Sequence, residues 1–410
     1  MTEPKSSKSD FWSHLAAGLQ YRKQANLWRS LVPAEGISAT MIERNGKSLV
    51  HFGSNDYLSL AWHPEVRDQF LNAATNPKVG SGASPLICGA GPEYQNLVHQ
   101  IASWKGTDSA LIFSSGYAAN VGAIRSVASR EDLILSDALN HACLIDGCQL
   151  SRAKVVVYPH ADTDALEQLL ALHRPQHRFA FVVTDTVFSM DGDLAPIARI
   201  HQLCEQYDAI GIADEAHASG VIGPRGRGVL AEHAIDGNAS RNQLPFHKER
   251  WIQTGTLSKA IGCSGGFVSG SELLTSWMIH HARSWIYSTA MPAAILVAAT
   301  KAIELLQSME SQRKQLASTS DQLRSRLQEL GFKTRLDSTP IIPIYVPSPS
   351  DALEMSQHLA NSGYFVPAIR PPTVPSDGSL LRVSLNISHT PDQLDGLIRS
   401  LESASNKTLP

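Results

Sequence analysis

Seven short apolar runs alternate with helical patterns through the middle of the chain, and this alternation constrains the fold more than any other feature. The runs are Ser109–Phe113, Asp132–Leu135, Lys154–Tyr158, Phe179–Thr184, Ala209–Ala213, Trp251–Thr254 and Gly266–Val268, with helical stretches such as Pro92–Trp104, Tyr117–Val127, Asp164–Leu172 and Ala195–Gln206 between them. The runs lack polar alternation, which predicts strands buried on both faces. Strands of that kind, interleaved with helices, imply an α/β fold with a mainly parallel sheet. Ligands of such sheets bind beyond the C-terminal strand ends, so the polar residues just after these runs are the functional candidates.

The flanks read differently. Phe11, Leu15, Leu19, Leu27 and Leu31 predict an amphipathic N-terminal helix over Phe11–Leu31 that carries Arg22, Lys23 and Arg29. A strand at Leu49–Phe52 follows. After about residue 290 a long helical stretch, Pro292–Leu330, precedes strands near Ile341–Val346, Tyr364–Ala368 and Leu380–Leu385 and helices at 351–361 and 391–402. The expected organisation is an N-terminal helix and arm over 1–50, a large α/β domain over 51–290 and a smaller α+β domain over 291–410. Residues 1–10 and 404–410 read as tails, and 236–243 as an exposed polar loop.

Composition removes several function classes. Lys plus Arg total 35 against 38 Asp plus Glu, a net charge of −3, which argues against the phosphate backbone of nucleic acid as a main partner. The longest apolar candidate, Met291–Ala299, is too short to span a bilayer. The polar N-terminus has no apolar leader pattern, so no secretory signal is expected. Five cysteines, at 88, 143, 148, 204 and 263, make no disulfide framework. Cys143 and Cys148 lack a second pair or histidine spacing for zinc and read as buried thiols, so no metal is expected and the setting is a reducing cytoplasm.

Asp214-Glu215-Ala216-His217 spells the acidic box of a DEAH-type NTPase. Such an enzyme also needs a Gly-x-x-x-x-Gly-Lys-Ser/Thr loop to cradle phosphates, and no such string occurs. Placed beside Lys259, the same four residues have a second reading. Pyridoxal phosphate asks for a lysine to carry it, a carboxylate at its pyridine nitrogen, donors for its phosphate and a flat group against its ring. Lys259 lies in Thr254-Gly255-Thr256-Leu257-Ser258-Lys259-Ala260, after a strand and among small residues. Asp214 ends an apolar strand, where a carboxylate needs a cationic or hydrogen-bonding partner. His217 is placed to reach the cofactor's phenolic oxygen. Gly116 and Tyr117 open a helix whose first amides suit a phosphate, with Thr256 and Ser258 as hydroxyl donors. His141 follows another strand and is a candidate to stack on the pyridine, and Ser189 a candidate for the ring edge. An ordinary loop lysine, a capping aspartate and structural histidines are the plain alternatives for each residue alone. Their joint order along one sheet edge favours the cofactor.

The chain resembles the α-oxoamine synthases, a subfamily of fold-type I pyridoxal phosphate enzymes, from about Phe52 to Leu401. The resemblance rests on Ser54-Asn55-Asp56-Tyr57-Leu58, Gly80-Ser81-Gly82-Ala83-Ser84, Ser115-Gly116-Tyr117-Ala118-Ala119-Asn120, Phe188-Ser189-Met190-Asp191-Gly192-Asp193, Asp214-Glu215-Ala216-His217, Gly255-Thr256-Leu257-Ser258-Lys259 and Tyr287-Ser288-Thr289. It implies a large sheet domain with a smaller C-terminal domain, and a condensation of an amino acid with an acyl thioester that releases CO2. Lys259, His141, Asp214 and His217 are the implied catalytic residues. Arg29, Asn55, His141, Thr373 and Arg382 are the implied substrate contacts, with Arg382 on the amino-acid carboxylate. Ala368-Ile369-Arg370-Pro371-Pro372-Thr373-Val374-Pro375 is similar to members that join L-alanine to a pimeloyl thioester, carried by CoA or acyl carrier protein, on the way to biotin. A member that uses glycine and an acetyl thioester is the alternative within the family. The resemblance also implies a homodimer with its active site at the interface. Pro85 stands where the family often has arginine, and Tyr94 where it commonly has histidine.

Overall fold

A computed structural model describes residues 10–235, 248–375 and 378–408. Residues 1–9 of the predicted N-terminal tail, the final two residues and the polar loop 236–243 lie outside them, whereas 404–408 of the predicted C-terminal tail continue the helix Pro391–Thr408. The centre is a seven-stranded sheet in the order Ser109–Phe113, Gly266–Gly270, Trp251–Thr256, Ile210–Asp214, Ala180–Asp185, Leu133–Asp137, Lys154–Tyr158. The last five of these run parallel to one another. Gly266–Gly270 runs antiparallel to both of its neighbours. Only residues 257–265 separate it from the preceding strand, too few for a crossover helix, so the chain must turn back.

Burial follows position in the sheet. Leu133–Asp137, Ala180–Asp185 and Trp251–Thr256 are buried at every residue. Lys154–Tyr158 departs from the predicted two-sided burial, because as the edge strand it leaves Val155 and Val157 exposed. Helices cover the sheet with their ends set by local chemistry. Ser115 caps Gly116–Val127 by accepting the Ala118 N–H, and Gly106, at φ 68°, ends Pro92–Lys105. Helix Ala142–Ser151 has no strong apolar period and was not visible in the pattern. It packs against Gly116–Val127, where a Cβ on Gly147 would stand 2.9 Å from Ile124 Cδ1.

The apolar Met291–Ala299 run leads into a core helix, Ala293–Gln307, which Pro292 precedes, and the predicted long helical stretch breaks at Ser308–Met309 before Glu310–Glu329. No helix among the described residues is long and apolar enough to cross a membrane. The predicted strand Tyr364–Ala368 is two pieces. Tyr364–Phe365 pairs parallel with Lys47–His51 of the N-terminal segment, whereas Ala368–Ile369 joins Leu380–Ser384 and Ile341–Tyr345. Pro367, which lacks an N–H, sits at the change of partner.

The N-terminal helix is shorter than its apolar spacing predicts. It spans Phe11–Gln24, and Asn26 takes a positive φ of 57° immediately after. It buries no residue among the described residues, and Phe11, Trp12, Leu15 and Leu19 are exposed there. Arg29 therefore lies on an extended arm and not on the helix.

Candidate active site

Asp137, Asp185 and Asp214 end three adjacent parallel strands, so three carboxylates stand along one sheet edge. Asp214 is buried and accepts from two directions. Its Oδ1 takes the Ala216 N–H at 2.8 Å and its Oδ2 the Asn120 side-chain amide at 2.6 Å. Asn120 Oδ1 in turn accepts from the Thr254 hydroxyl at 2.5 Å. The carboxylate is thus aimed by the next strand and by the facing helix, beyond a simple local cap.

His217 is buried between two partners. Its Nε2 lies 2.8 Å from Lys259 Nζ and its Nδ1 2.7 Å from the Tyr57 hydroxyl. Burial, then the charges of Lys259 and Arg382, hold its pKa well below the usual histidine value. A neutral ring with its proton on Nδ1 satisfies both contacts: it accepts from Lys259 and donates to Tyr57, whose own proton reaches Asn55 Oδ1 at 3.1 Å. Lys259 is half-buried, and desolvation lowers its pKa against the pull of Asp214 and Asp185. A lowered amine pKa leaves more of the free base needed for proton abstraction.

Gly116 brings the helix start against Thr256. A Cβ there would stand 3.1 Å from Thr256 Cβ, and one on Gly266 would meet the Gly116 nitrogen at 2.5 Å. Glycine at both positions lets two backbones and a hydroxyl converge. The Thr256 Oγ1 also lies 2.7 Å from the Ser258 hydroxyl. Tyr117 is half-exposed at the same helix start, its phenol donating to the Asp146 carboxylate.

His141 caps helix Ala142–Ser151. Its backbone N–H donates to Asp185 Oδ2 at 2.7 Å and its Nδ1 lies 2.8 Å from Cys143 Sγ. Burial lowers its pKa, and burial together with Asp214 raises Asp185 well above the usual carboxylate range. Ser189 meets the site through its carbonyl, which accepts Arg382 Nε at 2.6 Å. Arg382 Nη1 donates to Asn55 Oδ1 at 3.1 Å and to the Ser384 hydroxyl at 2.6 Å. All three acceptors are neutral. His141 and Ser189 also line a cavity of about 340 Å³ with Arg29, Phe188 and Thr373. At its mouth Arg29 donates to the Thr373 hydroxyl at 2.8 Å.

The structure therefore links Lys259, His217, Asn55 and Arg382 through Tyr57, with the Asp214 charge acting on Lys259 and Gly116, Tyr117 and Thr256 at the helix start, while Arg29, His141, Ser189 and Thr373 share the cavity. Sequence reasoning missed Asn120 and Tyr57, although both stand inside strings it had singled out. Asn120 is four residues after Gly116, hence on the same helix face, and that spacing was the available signal. It also missed Arg370, which donates to the Asn26 and Trp28 carbonyls and so ties the arm down beside the cavity. Tyr94 is buried, its hydroxyl 3.0 Å from Trp285 Nε1.

A lysine in the turn after one strand, bonded to a histidine that follows the aspartate of the next, all at the C-terminal edge of this mixed sheet, defines a fold-type I pyridoxal phosphate transferase. The comparisons with known proteins agree. Residues 47–401 match aminotransferase class I and II. The 8-amino-7-oxononanoate synthases of Marinobacter nauticus and Geobacter sulfurreducens are each 40% identical, over 94% of this chain and 95% and 96% of theirs. A structure of SPT with PLP superposes with a TM-score of 0.88 at 27% identity, covering 97% of this chain and 98% of that one. The 8-amino-7-oxononanoate synthase of Francisella tularensis gives 0.74 at 26%, covering 87% and 98%. The chain belongs to the aminotransferase class I and II family and, within it, to the α-oxoamine synthases.

Its cofactor is pyridoxal 5′-phosphate. The residues fit that group: an amine with lowered pKa, a buried carboxylate for the ring nitrogen, and amides and hydroxyls at a glycine-cleared helix start for the phosphate.

Proposed function

We propose that this enzyme condenses L-alanine with a pimeloyl thioester to give 8-amino-7-oxononanoate, CO2 and the free thiol carrier, a step of biotin biosynthesis. One observation carries the reading: Lys259, His217, Tyr57, Asn55 and Arg382 form a single hydrogen-bonded path from the amine to a guanidinium whose bonding partners are all neutral. An amino acid needs both ends of such a path, a base for its Cα proton and a cation for its carboxylate.

When bound, pyridoxal phosphate supplies the electron sink that makes the Cα proton and the carboxyl group of alanine removable. Asp214 would hold the proton on the pyridine nitrogen, with Asn120 and the Ala216 amide keeping that carboxylate in line. Lys259 takes the Cα proton. His217, neutral and bonded to Lys259, orients the amine and accepts no net charge. Among the described residues Arg382 has no carboxylate partner, so its charge is free for that of alanine. His141 and Ser189 face the cavity that takes the acyl chain, with Arg29 and Thr373 at its mouth. The amides of Gly116 and Tyr117 and the Thr256 hydroxyl would hold the phosphate.

We also propose a homodimer in the cytoplasm. The outward apolar face of Phe11, Trp12, Leu15 and Leu19, and a Tyr287 that is 72% exposed, support a partner surface. Five free cysteines suit a reducing compartment. Sedimentation should give twice the chain mass, and a monomer would remove the dimer.

The assay sets alanine against glycine, pimeloyl against acetyl, and CoA against acyl carrier protein as carrier. Alanine with pimeloyl should yield the nine-carbon amino ketone by mass spectrometry. Faster turnover of glycine with acetyl thioester would replace this reading with that of another member of the family.

A further inference from the structure

His160 takes part in none of these steps, yet both of its ring nitrogens meet carboxylates. Nδ1 lies 2.9 Å from Asp137 Oδ1 and Nε2 lies 2.7 Å from Asp193 Oδ2. With an acceptor at each nitrogen, only the doubly protonated ring can donate both bonds. Phe188 packs edge-on against it, ring centroids 4.4 Å apart. Among the described residues Arg335 stands 3.9 Å from Asp193 Oδ2, Asp185 and the buried Tyr158 interact with Asp137, and Asp191 bonds the Tyr345 hydroxyl.

Each carboxylate holds a loop of the site. Asp137 ends a central strand and also accepts the Leu139 N–H and the Ala161 N–H, each at 2.8 Å, which sets the start of the segment that leads to His141. Asp193 closes the turn Phe188–Asp193, where the Phe188 N–H donates to the Asp193 carbonyl at 3.0 Å and the Gly192 N–H to the Phe188 carbonyl at 2.9 Å. Ser189, in that turn, aims Arg382 through its carbonyl.

We propose that His160 is a positioning residue: its imidazolium ties the Phe188–Asp193 turn to the strand end at Asp137, and so sets where Ser189 holds Arg382 and where the loop presents His141. Burial opposes the charge, but the bonds and charges of Asp137 and Asp193 outweigh it and raise the pKa from 6.5 to about 9. The sign follows. The link is complete below the unfolded value of 6.5 and is lost as the pH rises through about 9, when one nitrogen turns a lone pair toward a carboxylate. This inference rests on Arg382 as the carboxylate anchor proposed above.

The first measurement uses the wild-type holoenzyme. Amide exchange at Phe188 and Gly192, corrected for its intrinsic base catalysis, should lose about tenfold protection from about pH 8 to about pH 10, in step with the His160 ring resonance. In His160→Gln, alanine KM should rise about tenfold with kcat changed less than about threefold, and the exchange step should vanish. Asp193→Asn, which offers a neutral ring a donor in place of an acceptor, should keep the turn protected through the alkaline range. Protection that stays flat through pH 9 in the wild type overturns the proposal, and so does a His160→Gln variant in which kcat falls while alanine KM holds. If His160→Gln does not fold, the wild-type and Asp193→Asn exchange profiles decide. Exchange does not depend on which substrate is used, so an enzyme that prefers glycine would sink the alanine reading and leave this result standing.

Discussion

Two lysines reach the string Asp214-Glu215-Ala216-His217, Lys105 through Glu215 and Lys259 through His217. Below the turn, Lys105 Nζ meets Glu215 Oε2 at 2.5 Å, the Ser219 hydroxyl at 3.0 Å and the Arg227 carbonyl at 2.5 Å. Both side chains of that ion pair are fully buried. Above the turn, Lys259 Nζ has the His217 ring at 2.8 Å. Burial lowers the pKa of both amines, opposed by Glu215 in one and by Asp214 and Asp185 in the other. The direction of the shift therefore does not separate them. What does is the use of their three N–H donors: Lys105 has an acceptor for each, whereas Lys259 keeps donors and access for a reacting partner. Glu215, which an NTPase would need facing water, is spent on holding Lys105 and the Leu230 N–H.

The sharpest test of this contrast is Lys259→Ala. It should lower turnover by at least about three orders of magnitude with the melting temperature little changed, since among the described residues the Nζ makes one hydrogen bond, to His217. Lys105→Ala should do the reverse at comparable scale, costing about 3–5 kcal/mol in chemical denaturation because it strands a buried carboxylate. Lys105→Met paired with Glu215→Gln should recover part of that. Recovery of activity by the first variant, or a Lys105→Ala protein as stable as wild type, would erase the distinction. Amine labelling of the cofactor-free protein should then find Lys259 reacting with a midpoint below the usual 10.5, while Lys105 stays silent until the chain unfolds.

Smaller effects refine it. Asn120→Ala removes one of the two bonds to the Asp214 carboxylate and should cost about 1–2 kcal/mol of kcat/KM, with no loss of the Lys105 network. Arg370→Ala frees the arm that carries Arg29. It should raise KM for the acyl thioester about tenfold and leave alanine KM unchanged, and equal shifts in both would place the arm outside acyl binding.

Much of this site was legible because it hangs on strand ends. A run such as Ile210–Asp214 announces itself by composition, and the residue that stops the apolar run is by position at the binding edge. Lys259, Asp214 and Gly116 were readable on that ground. Asn120, Tyr57 and His160 were not, because each matters through a partner far away in the chain: Thr254 and Asp214, His217, and Asp193. The N-terminal helix misled for a related reason. Its apolar spacing predicts a buried face, but nothing among the described residues covers it.

Local periodicity determined the α/β class, nearly every strand of the central sheet, and which residues stand at its C-terminal edge, because backbone hydrogen bonding and side-chain burial act over a few residues at a time. Only the folded chain decided which strand runs backward, that Tyr364–Phe365 leaves its neighbours for the strand Lys47–His51, and which of the two lysines is tied down. Those outcomes depend on distances between segments up to several hundred residues apart, and no local pattern encodes a distance of that kind.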